Sequence, residues 1–231
     1  MDAAPASSAL ARMDALLARW EAVGDRRVVF LGCYRLMTLN MLTALAAGEF
    51  QDPAWVRGLL ERFAAYYFEA LEAYEAGGAG PRVWQLTHTA ARDPATRVLQ
   101  NLLLGVNAHI CYDLALALVE RLEDEWPGLT PAQRTGRRAD HDHVNAVIAR
   151  TVDAVQDTVV ERYAPRLDLL DVALGPLDEW LASSLIAHWR TGVWEAAMRL
   201  LAAGPGSARE AVRLTIEAHT MRRAEILLLR P

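Results

Sequence analysis

His109 and Asp113 stand four residues apart inside "NLLLGVNAHICYDLALALVE", a run from Asn101 to Glu120 that is otherwise almost wholly apolar. On a helix that spacing puts an imidazole and a carboxylate on one face, one turn from each other. A carboxylate in such company must find a hydrogen-bond donor, a cation or a metal, because an isolated buried charge is too costly to keep. A second cluster, "ADHDHVN", repeats the spacing with His141 and Asn145 and adds Asp140 and His143, three apart. If the two helices pack antiparallel, His109, Asp113, His141 and Asn145 can meet and form a catalytic group. Two imidazoles, a carboxylate and an amide suit one divalent metal with an open position, zinc being the first choice and His109, Asp113 and His141 its ligands. Such a metal lowers the pKa of bound water and polarises an ester, amide or phosphoryl oxygen. Without a metal, the His109 and Asp113 pair, or His141, can serve as general base in a proton transfer, elimination or cyclisation. The same groups can also close a hydrogen-bond network that does no chemistry. Asp140 and Asp142 have a further ordinary role open to them, as cap or first-turn acids if a helix starts there.

Other polar residues sit in apolar stretches and are candidates to line the same cavity: Asn107 beside His109, Arg35 and Asn40 in "RRVVFLGCYRLMTLNML", Asp157, and His188. The stripe Trp180, Trp189 and Trp194 reads as core, although aromatic side chains also line apolar pockets.

The elements that must position these groups are helices. Strand-like alternation is nearly absent, and stop and start signals divide the chain into long stretches of helical spacing. Ser7 and Ser8 can cap a first helix to Gly24, with Leu10, Met13, Leu16, Leu17 and Trp20 recurring at three and four. Asp25 can cap a second to Gly48. Asp52-Pro53 is a strong start for a third, which "GGAGP" ends. A short helix follows over 83–91. Asp93-Pro94 then opens the central one, about residues 94–125, stopped by "WPGLTP". Thr130-Pro131 begins another helical region, and Pro176 to Ala203 and Ser207 to Leu229 give two more on either side of "GPGS". The expected architecture is a single all-α domain over residues 1–231, a bundle of seven or eight helices around a buried central helix.

Composition narrows the function. With 231 residues, 53% hydrophobic and 23% charged, the chain can bury a sizeable core. A net charge of -5 gives no basic face for nucleic acid. The longest apolar run is broken by Asn, His and Asp, which argues against a membrane span. Two cysteines, Cys33 and Cys111, and no basic leader followed by an apolar stretch lead to the expectation of a reduced, cytoplasmic setting. There is no Gly-rich phosphate loop, no G-x-S-x-G elbow, no H-E-x-x-H and no Glu-x-x-His pair of the di-iron bundles.

"LLLGVNAHICYDL" at 102–114 and "DHDHVN" at 140–145, together with "RRVVFLGCYRLMTLNML" and "AGEFQDPAWVRGLLERFAAYYFEAL", resemble a bacterial all-helical family defined as a domain of unknown function. That resemblance implies the fold and a site at these residues, but no activity. A weaker one is to the all-helical zinc-dependent phospholipase C and nuclease superfamily, whose metals are held by H-x-x-x-D on one helix and H-x-x-x-E or H-x-x-x-D on a later one. "HICYD" matches the first pattern. In "HDHVN" Asn145 replaces the second acid, and no His precedes His88, so the resemblance implies one metal at most. The expected function is a small-molecule enzyme, a metal-dependent hydrolase or an acid/base lyase or cyclase, acting on a partly apolar substrate. The alternative is a non-catalytic helical domain that binds an apolar ligand or partner.

Overall fold

The computed structural model describes residues 4–155 and 176–229. Among them are eight helices and no strand: α1 (Ala4–Ala22), α2 (Val28–Ala46), α3 (Pro53–Glu75), α4 (Arg82–Arg92), α5 (Val98–Leu122), α6 (Pro131–Val155), α7 (Pro176–Ala203) and α8 (Ser207–Leu227). Several ends are set by the local chemistry of the chain. Asp52 accepts a hydrogen bond from the Trp55 amide at 2.9 Å, with Pro53 as the first helical residue. Gly77, at φ +67°, supplies the left-handed turn that closes α3.

The first helix begins at Ala4, so Ser7 and Ser8 lie inside it rather than capping it, and two further starts differ from expectation. Asp93 does not open α5; its side chain accepts from the Ala95 amide at 2.9 Å in a separate turn, and the helix begins at Val98. There Gln100 Oε1 reaches back to the Arg97 amide at 3.0 Å. Asp25 likewise spends its carboxylate on Arg27, at 2.6 Å from Nη2, and α2 begins at Val28. In both cases a short Asp-bonded turn competes with the helix for the same acceptor.

The centre of the bundle is α5, which packs against α2, α3, α4, α7 and α8. Its apolar side chains therefore have neighbours on most sides, and Leu104, Ala108, Ala115, Ala117, Leu118 and Leu122 are fully buried. Gly105 lets α2 approach, since a Cβ there would lie 2.2 Å from Phe30 Cγ. Both α2 and α5 are long and apolar enough to cross a membrane by length and composition alone. Within the bundle 83% of the most apolar stretch of α5 is buried against protein, the position of a core helix. The α6 helix packs chiefly on α2 and α7.

Candidate functional site

The middle of α5 is not α-helical. His109–Asp113 forms one turn of π-helix, a rare local widening that recurs at functional sites. From this turn His109 Nδ1 meets Asp113 Oδ2 at 2.9 Å. The indole of Trp84, from α4, donates to both carboxylate oxygens, at 2.9 Å to Oδ2 and 3.1 Å to Oδ1. The imidazole is stacked on Phe63 of α3, ring centres 3.5 Å apart and planes 8° from parallel. The Tyr34 ring of α2 meets it edge-on at 4.4 Å. Four helices thus fix one dyad, and both members are buried. Burial holds the Asp113 carboxyl well above its ordinary range, partly opposed by the Trp84 hydrogen bond, and holds His109 well below its own. Among the described residues His109 Nε2 is buried without a hydrogen-bond partner, and so is the Tyr34 hydroxyl.

His109 forms part of the wall of a cavity of about 220 Å³. The wall is apolar almost throughout: Phe30, Met37 and Met41 from α2, Val56, Leu60 and Phe63 from α3, Leu102, Val106 and Ile110 from α5, Val144 and Ile148 from α6, and Ile186 from α7. Its polar members are His109, Tyr34, Cys33, Thr38, Thr151 and Arg190. The two threonine hydroxyls donate to their own helices, Thr38 to the Tyr34 carbonyl at 2.8 Å and Thr151 to that of Val147 at 2.7 Å. The Cys33 thiol is pushed up to about 12 by burial. Leu99 lines the cavity and is 44% exposed, so the cavity reaches the surface at the start of α5.

His141 and Asn145 do not join the dyad. The region 140–145 lies within α6 rather than at a helix start, and α6 packs on α2 and α7 instead of pairing with α5. His141 Nε2 donates to the Arg190 carbonyl at 3.2 Å, and its Nδ1 faces Arg190 Nη2 at 3.4 Å. Asn145 Oδ1 accepts from Arg190 Nε at 2.8 Å, and the His141 carbonyl accepts from Nη2 at 2.5 Å. Burial first, and then the charge of Arg190, keep His141 well below its ordinary pKa. With both ring nitrogens engaged, His141 is a clamp between α6 and α7 and not a partner for His109.

The expected metal set therefore does not assemble. Among the described residues no group of three or more His, Cys, Asp and Glu side chains is placed to hold a metal ion, and the His109 and Asp113 pair is bonded to itself and to Trp84. Asp140 is also not a cap for its own helix. Its two oxygens accept from the Gln51 and Asp52 amides, at 2.8 and 2.9 Å, and brace the start of α3. Asp142 pairs with Arg138 one turn away, and His143 meets Glu49 at 3.0 Å.

Of the other residues expected to line the cavity, Asn107 is buried but turns to α8, where Nδ2 donates to the Thr220 carbonyl at 2.9 Å. Asn40 stands behind the wall and donates to Thr151 Oγ1 at 2.9 Å. Arg35 pairs with Asp14 of α1 away from the cavity. His188 is exposed, and Asp157 lies outside the described residues. The sequence reasoning missed Trp84, Phe63 and Arg190. Arg190 carried a usable signal, because Ile186, Arg190, Val193 and Ala197 fall at the four-and-three spacing of one helix face, and that face is the one α7 turns inward. His188 lies off that stripe.

No curated protein and no solved structure matches the chain, and nothing in these comparisons supports the likeness to zinc-dependent phospholipases and nucleases. One family does match, over residues 6–230, which takes in the dyad, the cavity wall and the α6 to α7 clamp alike, and the chain belongs to that family, the family of unknown function DUF5995.

Proposed function

We propose that the protein is a small-molecule enzyme that binds a largely apolar substrate in the α2/α3/α5 cavity and exchanges a proton with it at His109 Nε2, as an acid/base lyase or cyclase does. The observation that carries this reading is the buried, unpartnered Nε2 of a cavity-wall histidine whose other nitrogen is held by a carboxyl group. Leaving a buried polar atom unpaired costs about 1–3 kcal/mol, which a ligand's hydrogen-bonding group offsets. The arrangement suits proton transfer in either direction. When Nε2 gives its proton to a substrate, Nδ1 can take one from Asp113; when Nε2 accepts, the proton on Nδ1 returns to the carboxyl. Phe63 and Trp84 keep ring and carboxyl in register while this happens. The cavity exceeds the roughly 150 Å³ of an apolar cavity known to admit benzene, so a molecule somewhat larger than one ring fits. The two cysteines are free, as in a cytoplasmic protein.

The near absence of free polar groups on the wall favours a second reading, a binding protein that performs no reaction. One experiment separates the two. Wild-type protein is mixed with 2-octanone in heavy water, and both binding and exchange of the ketone's α-hydrogens are followed by NMR. The expected outcome is saturable binding, with exchange at least tenfold faster than in His109→Gln, and loss of both in Leu103→Trp, which fills the cavity from its wall. Binding with equal exchange in wild type and His109→Gln selects the non-catalytic reading. No binding by the folded wild type overturns both.

A further inference from the structure

Arg190 has no part in the chemistry just proposed, yet it lies in the wall of the same cavity and only 4% of it is exposed. A buried guanidinium is ordinarily paired with a carboxylate, because its desolvation is otherwise uncompensated. Here it is not. Nε goes to the amide oxygen of Asn145, Nη2 to the backbone carbonyl of His141, and no hydrogen bond is made by Nη1 among the described residues. All of its acceptors are neutral. Burial draws the guanidinium down to about 10, which still leaves it fully charged at neutral pH.

The remainder of the wall offers little else to an ionic group. Thr38 and Thr151 donate to their own helices, Cys33 is a neutral thiol, and Tyr34 and His109 are uncharged. One cation among the described wall residues of an otherwise apolar chamber matches one negative charge on an otherwise apolar molecule. A phosphate group, with more charge and three acceptor oxygens, needs more donors than this wall supplies.

From Arg190, which has no ion-paired carboxylate among the described residues and stands in the wall of an apolar cavity, we infer that the natural ligand is a small amphiphilic carboxylate, its head on Arg190 and its apolar body along α2, α3 and α5. The inference rests on the reading of this cavity as a binding site, and adds the charge and class of the ligand. It also gives Asn145 and His141 a purpose beyond tying α6 to α7: they aim the guanidinium without neutralising it. An Asp at 145 would have done so.

The test compares octanoate with 1-octanol, which share an eight-carbon chain, by calorimetric titration of the full-length protein at pH 7.5 and 150 mM salt. The expected result is octanoate binding about tenfold or more tightly, the difference between a charge-assisted and a neutral hydrogen bond. Arg190→Met should abolish the preference and leave octanol within about threefold, a factor worth well under one kcal/mol. Because that variant can lose the α6 to α7 clamp, Asn145→Asp is the companion. It keeps the size of the side chain, places a carboxylate 2.8 Å from Arg190 Nε, and should lower octanoate affinity about tenfold with octanol unchanged. If octanol binds the wild type as tightly as octanoate, or if Asn145→Asp leaves the preference intact, the carboxylate inference is overturned while the cavity stands. If neither molecule binds, the cavity reading itself falls.

Discussion

At the scale of single residues, Asp113 separates the possible states of the dyad. Its oxygens accept two contacts from the Trp84 indole, and its protonated carboxyl hydrogen-bonds to His109 Nδ1, all inside the core. Truncation to alanine leaves both partners buried and unpaired, and should destabilise the fold by about 3 kcal/mol in urea titrations. Asp113→Asn is a near copy of the protonated acid. Its carbonyl can accept from Trp84 while its amide donates to His109 Nδ1, so the expected cost near pH 5 is below about 1 kcal/mol. The two should diverge with pH in a definite direction. Burial raises the native pKa of Asp113 above the unfolded value near 3.9, so above that pH the folded state holds a proton that the unfolded state has released. The wild type loses stability from this group as pH rises, and the asparagine variant does not. Its stability relative to wild type should therefore improve steadily from about pH 4 upward until the native carboxyl ionises. If Asp113→Asn is as damaging as Asp113→Ala, the group that Trp84 and His109 require is the ionised carboxylate.

At the scale of elements, the approach of α2 to α5 gives a contrast between two glycines. Alanine normally stabilises a helix interior by about 0.5–1 kcal/mol over glycine. Gly192, on the exposed side of α7 with nothing within 4 Å of a Cβ, should follow that rule. Gly105→Ala should reverse it, costing about 3 kcal/mol, because the new methyl meets the Cγ, Cδ2 and Cβ of Phe30, a side chain packed on every side. Thermal unfolding of the two variants checks the opposite signs directly. The same contrast marks what the sequence can convey about elements. Asp52-Pro53, "GGAGP" and "GPGS" place helix ends because the chemistry is local to a few residues. The identity of α5 as the central helix was also readable, since only a helix surrounded by others can be apolar on all sides. The π turn at His109–Asp113 was not, because nothing in "HICYD" distinguishes i→i+5 from i→i+4 bonding, and the side chains that hold its dyad come from three other helices, α2, α3 and α4. The spacing did make His109 and Asp113 neighbours. It could not say that α6 packs on α2 and α7, and so it joined His141 and Asn145 to the wrong partner. Trp84 and Asp113 are 29 residues apart, and a donor and an acceptor in two separate apolar runs carry no mark of each other.

At the scale of the whole molecule, the buried histidines set how the fold responds to acid. Three of the six lie in the core, each in a different place: His88 against Trp84 and Tyr74, His109 in the dyad, and His141 in the α6 to α7 clamp. Burial depresses all three, His88 to about 3 and the other two well below their ordinary value. Below about pH 6.5 the unfolded chain therefore takes up three protons that the folded protein refuses, and stability falls as pH falls. Each such group contributes at most about 1.4 kcal/mol per pH unit. Asp113 acts oppositely over the same range, so the net slope between about pH 4 and 6 approaches that of two protons, about 3 kcal/mol per unit at most. Against a total stability of about 5–15 kcal/mol, that slope removes about 5 kcal/mol over the two pH units above the carboxylate range. Below about pH 4 the Asp25, Asp52 and Glu120 carboxylates, whose native pKa values are lowered by arginine or backbone partners, add to the loss. Urea unfolding monitored by circular dichroism from pH 5 to pH 7.5 should show stability rising through the histidine range and then turning down for as long as the native Asp113 carboxyl stays protonated. Removing one titrating group by His88→Gln should reduce the slope by about 1.4 kcal/mol per unit, without altering binding in a cavity that His88 does not line. A flat profile across pH 5 to 6.5 would mean that the core histidines are protonated in the folded state, and the neutral dyad on which proton exchange at His109 depends would have to be abandoned.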